Sequence, residues 1–97
     1  MKLRFTLRAT QDLAAFADYF VARNPRAALR VRAAIIDSVQ NLVVFPHIGR
    51  PQAVEGVRKL VTRKYSYLVY YTLDEEAGEI IIITIQHSAQ EREYEDA

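Results

Sequence analysis

The sequence predicts an α+β domain in which an N-terminal strand and an antiparallel helical hairpin pack on a small, mainly antiparallel sheet. The predicted order is β-α-α-β-β-β, followed by a short C-terminal helix. Apolar residues recur at helical spacing through residues 7–44. β-branched and aromatic residues dominate residues 57–85, as they do in strands. The Asn24-Pro25 pair separates two helical segments by so short a break that the helices must be antiparallel neighbours.

The chain begins with a short strand and the first helix. Leu3 and Phe5 alternate with basic residues, as in a strand with one buried face. We expect Thr6 to cap a helix that runs to about Ala22, because its hydroxyl can accept a hydrogen bond from a free first-turn N–H group. The apolar face of this helix consists of Ala9, Leu13, Phe16, Ala17 and Phe20.

The second helix is predicted from Pro25 to about Val44, with Asn24 as its cap. One apolar stripe consists of Ala28, Val31, Ile35, Val39 and Leu42. A second stripe, roughly 100° away around the helix, consists of Leu29, Ile36 and Val43. We expect the helix to bury both sides, against the sheet and the first helix. Whether apolar surface remains for a partner stays open. Arg32 falls inside this arc, where its stem can cover apolar surface while its charge stays in water.

Residues 56–71 are typical of a β-hairpin. Val57, Leu60 and Val61 mark its first strand, and residues 67–71 mark its second. The turn between them, residues 63–66, places two cations beside an aromatic ring. Two prolines and a glycine in residues 45–51 indicate a loop between the second helix and this hairpin.

The last predicted strand, Ile80–Ile85, follows a turn at residues 74–79. It has no polar face, so we expect it in the middle of the sheet, and it would be prone to aggregation if exposed. Residues 86–88 are predicted to leave the sheet. Ser88 and Glu91 have capping-box spacing, which predicts a short helix over residues 89–95.

Length and composition fit one folded domain over residues 1–97. Hydrophobic residues make up 51% of the chain, and it has no cysteine. We expect no membrane span, no signal peptide and a cytoplasmic location. The net charge of +1 hides an asymmetry, since residues 1–64 carry 12 Lys/Arg and four Asp/Glu, whereas residues 65–97 carry one arginine and eight acids. This split indicates either an acidic partner for the basic part or two parts that neutralise each other.

Several short segments, spread in order over nearly the whole chain, point to one family. They are Arg8-Ala9, Asp12-Leu13, Asn24–Ala28, Phe45–Pro51, Gly56–Leu60, Tyr67–Tyr71 and His87. In this order they resemble the RelE/ParE family of bacterial toxins of type II toxin–antitoxin systems. The resemblance implies a toxin that is neutralised by a small, DNA-binding cognate antitoxin in a hetero-oligomer. It implies no cofactor and no metal ion.

The two branches of that family imply different activities. RelE-like members are ribosome-dependent mRNA endonucleases, whereas ParE-like members inhibit DNA gyrase and are not known as enzymes. RelE-like toxins place an arginine early in the second hairpin strand, where this chain has Tyr67. They also place an arginine or a histidine–tyrosine pair after the last strand, where His87 is followed here by serine. A net charge of +1 is low for docking on ribosomal RNA. We therefore favour a ParE-like gyrase inhibitor without catalytic residues.

Two alternatives and one binding surface complete these expectations. If the chain is an mRNA endonuclease, its candidate catalytic residues are Arg58, Arg63, Lys64, Tyr67 and His87. A further alternative is a non-toxic module that only binds antitoxin. In the family, the antitoxin tail covers apolar surface of the helical hairpin and sheet. The candidate antitoxin-binding residues are Leu29, Arg32, Ile36 and Val43.

Overall fold

A computed structural model describes residues 1–62 and 64–87 and places a helical hairpin against a five-stranded sheet. Its elements are β1 Lys2–Phe5, α1 Leu7–Arg23, α2 Pro25–Val44, β2 Arg50–Pro51, β3 Arg58–Val61, β4 Tyr67–Asp74 and β5 Glu79–His87. The strand order is β1-β5-β4-β3-β2, with β1 parallel to β5 and every other pair antiparallel. The predicted α+β class is confirmed. The helix predicted over residues 89–95 lies outside the described residues.

Each helix begins at the side-chain cap that the sequence predicts, Thr6 for α1 and Asn24 for α2. The Thr6 hydroxyl accepts a hydrogen bond from the Ala9 N–H and donates one to the Ile83 carbonyl, at 3.1 and 2.6 Å. Asn24 accepts from the Ala27 N–H through its side chain, while its own N–H donates to the last turn of α1. One residue thus closes α1 and opens α2, which forces the helices into an antiparallel pair.

The core lies between the helical hairpin and one face of the sheet. The first stripe of α2 is buried, as predicted. It packs with residues of β4 and β5, of which the fully buried members are Val69, Tyr71, Ile80, Ile82 and Ile85. Partly buried side chains of α1 and β3 close this core at its margins.

The expectation that α2 buries both of its apolar stripes is wrong. Leu29 is 73% exposed and Val43 is 42% exposed, while Ile36 is half-buried. The helical hairpin lies on the sheet so that α1 and the sheet both pack against the same side of α2. The first stripe makes both of these contacts. The second stripe is left at the protein surface.

Two strand boundaries also differ from the sequence predictions. Residues 50–51 belong to the predicted loop, yet they form a short strand that pairs with Lys59 and Arg58. Pro51 is tolerated there because β2 is an edge strand and needs no further N–H partner. At the other boundary, Gln86 and His87 stay in β5, because β4 begins at Tyr67 and offers both residues a partner.

A buried contact fixes α1 on the sheet. The Asp12 carboxylate accepts hydrogen bonds from the Thr84 hydroxyl and the Ile85 N–H, at 2.6 and 2.9 Å. These two residues follow the register shift between β4 and β5, which leaves Ile83 without a partner on β4. The carboxylate thereby sets where the N-terminal half of α1 lies over the sheet.

Candidate functional site: an aromatic cleft and an exposed helix stripe

A cleft of about 690 Å³ opens where the tip of the helical hairpin meets the β3–β4 turn and the end of β5. We call it the aromatic cleft, because six of its lining side chains carry rings. Its lining residues are Phe16, Tyr19, Phe20, Ala27, Val31, Tyr65, Tyr67 and His87.

Tyr67 and His87 lie side by side on the sheet floor of the aromatic cleft. They are register partners on β4 and β5, and their rings meet edge to face with centroids 5.5 Å apart. The other side of the Tyr67 ring contacts Phe16 at 4.8 Å. Burial, with a smaller contribution from Tyr19, raises the pKa of Tyr67 above its ordinary value. The Tyr67 hydroxyl therefore stays protonated at neutral pH and brings no charge to the cleft.

The β3–β4 turn places Tyr65 at the mouth of the aromatic cleft. Both Tyr65 and Ser66 have positive φ, 69° and 51°, which side chains other than glycine rarely adopt. Thr62 secures the turn, since its N–H donates to the Tyr67 carbonyl and its hydroxyl donates to the Lys64 carbonyl. The sequence analysis did not identify Tyr65 as a site residue. The available signal was a Tyr-Ser pair at positions where a turn favours glycine or asparagine.

In the described part of the chain, cations lie around the aromatic cleft rather than in it. The Arg23 guanidinium sits 4.0 Å from the centre of the Tyr19 ring and donates to the Tyr19 carbonyl. Lys64 is exposed and lines a neighbouring groove together with Arg30, Asp37 and Asn41 of α2. Tyr65 lines both the groove and the cleft, so its ring forms the border between them.

The structure brings together only part of the candidate catalytic set. Tyr67 and His87 are adjacent, and Lys64 belongs to the turn above them. Arg58 pairs with Tyr71, four residues along β4 from Tyr67 and therefore about 13 Å away. Its guanidinium donates to the His47 and Gly49 carbonyls at 3.1 and 2.8 Å. Arg63 lies outside the described residues.

The four candidate antitoxin-binding residues lie on one side of α2. Leu29, Ile36 and Val43 form a stripe in which Leu29 and Val43 are exposed and Ile36 is half-buried, and Arg32 is exposed beside it. We call these four residues the helix stripe. Beyond its C-terminal end the apolar surface continues into Val44, Phe45 and Ile48, all of which are exposed.

The chemistry available in the aromatic cleft is limited. Among the described residues that line it there is no carboxylate, lysine or arginine, and His87 contributes the one imidazole. Within residues 1–62 and 64–87, no three His, Asp or Glu side chains converge to hold a metal ion. Neither α1 nor α2 has the length and apolar composition needed to cross a lipid bilayer.

Comparison with known proteins places almost the whole chain in one family. Residues 3–92 match the sequence model of the family described as the ParE toxin of type II toxin–antitoxin system, parDE. A curated relative, toxin RelE2 of Caulobacter vibrioides, is 33% identical over 86 residues, which cover 89% of this chain and 93% of that protein.

Solved structures show the same likeness and carry names from both branches. The chromosomal ParDE system from P. aeruginosa matches with a TM-score of 0.78 and 31% identity, over 90% of this chain and 95% of that chain. The RelBE2 toxin–antitoxin complex from Mycobacterium tuberculosis matches with a TM-score of 0.62 and 26% identity, over 89% and 95%.

Proposed function

Because this chain belongs to the ParE toxin family of type II toxin–antitoxin systems, we propose that it inhibits DNA gyrase and is neutralised by a cognate antitoxin. The observation that carries the proposal is the chemistry of the aromatic cleft. Tyr67 stands where a RelE-like nuclease would place a phosphate-binding arginine, and it is held neutral by burial. The proposed mode of action is contact with a protein target rather than catalysis.

Metal-free cleavage of RNA has two requirements that the aromatic cleft meets poorly. A base or acid must move the proton of the 2′-hydroxyl, and cations must stabilise the phosphate as charge builds. The described lining offers His87 for the first task and no cation for the second. Arg58 is engaged with loop carbonyls about 13 Å along the sheet.

The helix stripe supports the antitoxin half of the proposal. Leu29 and Val43 are exposed at helical spacing, with the half-buried Ile36 between them, which fits a partner segment laid along α2. Arg32 beside them, and the excess of basic residues in the first part of the chain, favour an acidic antitoxin tail. Toxin, antitoxin and gyrase would meet in the cytoplasm, in a toxin–antitoxin hetero-oligomer.

A ribosome-dependent mRNA endonuclease is the second candidate function. The adjacency of Tyr67 and His87 favours it, with Lys64 in the turn above them. Arg58 and Arg63 would have to supply the remaining positive charge. A non-toxic, antitoxin-binding module is a third candidate, which the helix stripe alone would serve.

The deciding experiment uses one preparation of the full-length chain in two assays. We expect it to inhibit supercoiling by purified gyrase and to leave mRNA on ribosomes uncut, as mapped by primer extension. The His87→Ala variant should keep its toxicity, whereas loss of a general base would cost about 10²–10⁴-fold in cleavage rate. His47→Ala, which changes an exposed histidine in a loop, is the matched control. Ribosome-dependent cuts with normal supercoiling would contradict the proposal and favour the endonuclease.

A further inference from the structure

The β3–β4 turn holds the least favourable backbone in the described part of the chain. In residues 1–62 and 64–87, Tyr65 and Ser66 are the two residues other than glycine with positive φ. Each costs free energy relative to an ordinary turn, and neither is a residue that tolerates this region well. A strained pair is retained only where the surrounding structure fixes it, and such pairs concentrate at functional sites.

The strain has one visible structural result, which is the position of the Tyr65 ring. Thr62 ties both ends of the turn, through the Tyr67 N–H and the Lys64 carbonyl at 3.1 and 2.6 Å. The ring is thereby held at the border of the aromatic cleft, and the side chain remains 42% exposed. Across the cleft, Tyr19 is also largely exposed. Two rings with polar tips therefore flank an opening whose walls are apolar.

The charged side chains placed around the opening by residues 1–62 and 64–87 are mostly basic. Arg23 lies over the ring of Tyr19. Lys64 directly precedes Tyr65, and it lines the neighbouring groove together with Arg30. Asp37 is the one carboxylate among the described residues that line that groove. An apolar cleft with a cationic rim fits a protein segment that inserts an apolar or aromatic side chain between flanking acids.

The alternative ligand, single-stranded nucleic acid, fits the cleft less well. Bases can stack on aromatic side chains, but the backbone phosphates must then follow a cationic groove. The described lining of the cleft carries no lysine or arginine, and the cations stand at its rim. A compact apolar anchor fits the cleft, whereas a phosphate in it would meet no lysine or arginine among the described lining residues.

We propose that the aromatic cleft, with Tyr65 as its central contact, is the surface through which this toxin docks on its protein target. The occupant is an acidic segment of gyrase that carries an apolar or aromatic anchor. The inference rests on the proposed function and adds the site of contact. It also separates target binding from the helix stripe, which is assigned to the antitoxin.

The test exploits the strained backbone. Asparagine tolerates positive φ, so Tyr65→Asn removes the ring while relieving strain. We expect this variant to unfold a few degrees higher than the wild type, yet to need about tenfold or more protein for half-inhibition of supercoiling. Ser66→Asn relieves the neighbouring strain and keeps the ring, so it should gain stability and inhibit like the wild type.

Each outcome decides a different point. The wild type alone tests the proposed function, and a wild type without effect on supercoiling overturns that function together with this inference. If the wild type inhibits gyrase and Tyr65→Asn inhibits equally, the function stands and the cleft assignment is overturned. The assignment is also overturned if Tyr65→Asn weakens only antitoxin binding, measured by calorimetry, or abolishes ribosome-dependent mRNA cleavage.

Discussion

At the scale of single residues, one phenol organises the loop between α2 and β3. The Tyr71 hydroxyl donates to the Pro46 carbonyl and accepts from the Gly49 N–H, each at 2.8 Å. Arg58 donates to the Gly49 carbonyl from the other side. The backbone of this loop is therefore fixed, although Phe45 and Ile48 project from it into solvent. A fixed loop presents these apolar side chains at little entropic cost to a partner.

The close approach of that phenol explains why position 49 requires glycine. A Cβ atom there would lie 2.5 Å from both a ring carbon and the hydroxyl of Tyr71, both of which belong to the buried core. We expect Gly49→Ala to lower the free energy of unfolding by about 1–3 kcal/mol, because the ring must shift and both loop hydrogen bonds weaken. Urea denaturation measures the loss. Gly78→Asn is the matched control, since its Cβ meets open space and asparagine tolerates the positive φ there.

Residue-level predictions from the sequence succeeded where the determinant was local. The caps Thr6 and Asn24 act through N–H groups three residues away, a distance that the sequence itself displays. The bond from Thr84 to Asp12 spans 72 residues, so no local pattern could reveal it. The left-handed backbone at Tyr65 was also missed, because turn preferences predict glycine or asparagine where the chain has tyrosine.

At the scale of elements, α2 shows what periodicity can predict. The Asn24-Pro25 pair and the loop after the helix predicted its bounds as Pro25 and about Val44, as observed, and apolar spacing identified the buried first stripe. It could not say whether the second stripe would be covered, since that depends on how the hairpin lies on the sheet. β2 was missed for a related reason. A two-residue strand containing proline has no pattern of its own and forms only because β3 pairs with it.

The exposure of the helix stripe leads to a test of antitoxin binding that spares the fold. Leu29→Glu places a carboxylate at a position that is 73% exposed in the free chain, so stability should change little. Covering that carboxylate with apolar partner surface is costly, so we expect antitoxin affinity to fall about tenfold or more. Calorimetry measures the affinity, and circular dichroism confirms the fold. Asn41→Glu is the control, because it adds the same charge on another face of α2.

Ile36→Glu distinguishes the contribution of α2 to antitoxin binding from its contribution to folding less cleanly than Leu29→Glu does. Ile36 is half-buried, so a carboxylate there costs free energy in the free fold as well as in a complex. Unaltered antitoxin affinity in folded Leu29→Glu and Ile36→Glu chains would remove the helix stripe from the interface. In the sequence pattern, Leu29 and Ile36 belong to the same stripe and cannot be told apart. The structure shows that Leu29 is the more exposed of the two, so Leu29 is the primary site for this test.

At the scale of the whole molecule, the ionisation of two tyrosines should lower the free energy of unfolding at alkaline pH. Burial raises the pKa of Tyr71, opposed by the Gly49 hydrogen bond and Arg58, and burial also raises the pKa of Tyr67. In the unfolded chain both phenols ionise near their ordinary value of about 10. Their contribution is therefore complete below that pH and is lost as pH rises through the folded-state pKa values.

We expect the urea midpoint of the full-length chain to fall more steeply than that of Tyr67→Phe between about pH 9 and 11. A phenylalanine cannot ionise, so the variant lacks one of the two linked protons. Tyr65→Phe serves as the control, because it removes an exposed phenol and should leave the slope unchanged. Parallel curves for wild type and Tyr67→Phe would show that the Tyr67 phenol ionises equally in both states.

The apolar surface left on the folded chain governs how it behaves without a partner. β5 is protected from edge pairing because it lies between β1 and β4, so the isoleucine run is not the source of self-association. The exposed apolar side chains instead continue from α2 into the following loop, and they are Leu29, Val43, Val44, Phe45 and Ile48. A patch of exposed apolar side chains on a small protein marks an interaction surface or promotes association.

We expect the chain expressed alone to self-associate as its concentration rises, and to become a single heteromeric species when co-expressed with its antitoxin, which covers part of that patch. Size-exclusion chromatography with light scattering distinguishes the two states. Leu29→Glu should reduce self-association and also weaken the heteromer, because both draw on the helix stripe, whereas Asn41→Glu should change neither. A wild-type chain that stays monomeric at high concentration would show that the patch is too small to drive association. Antitoxin binding would then have to rest mainly on charge.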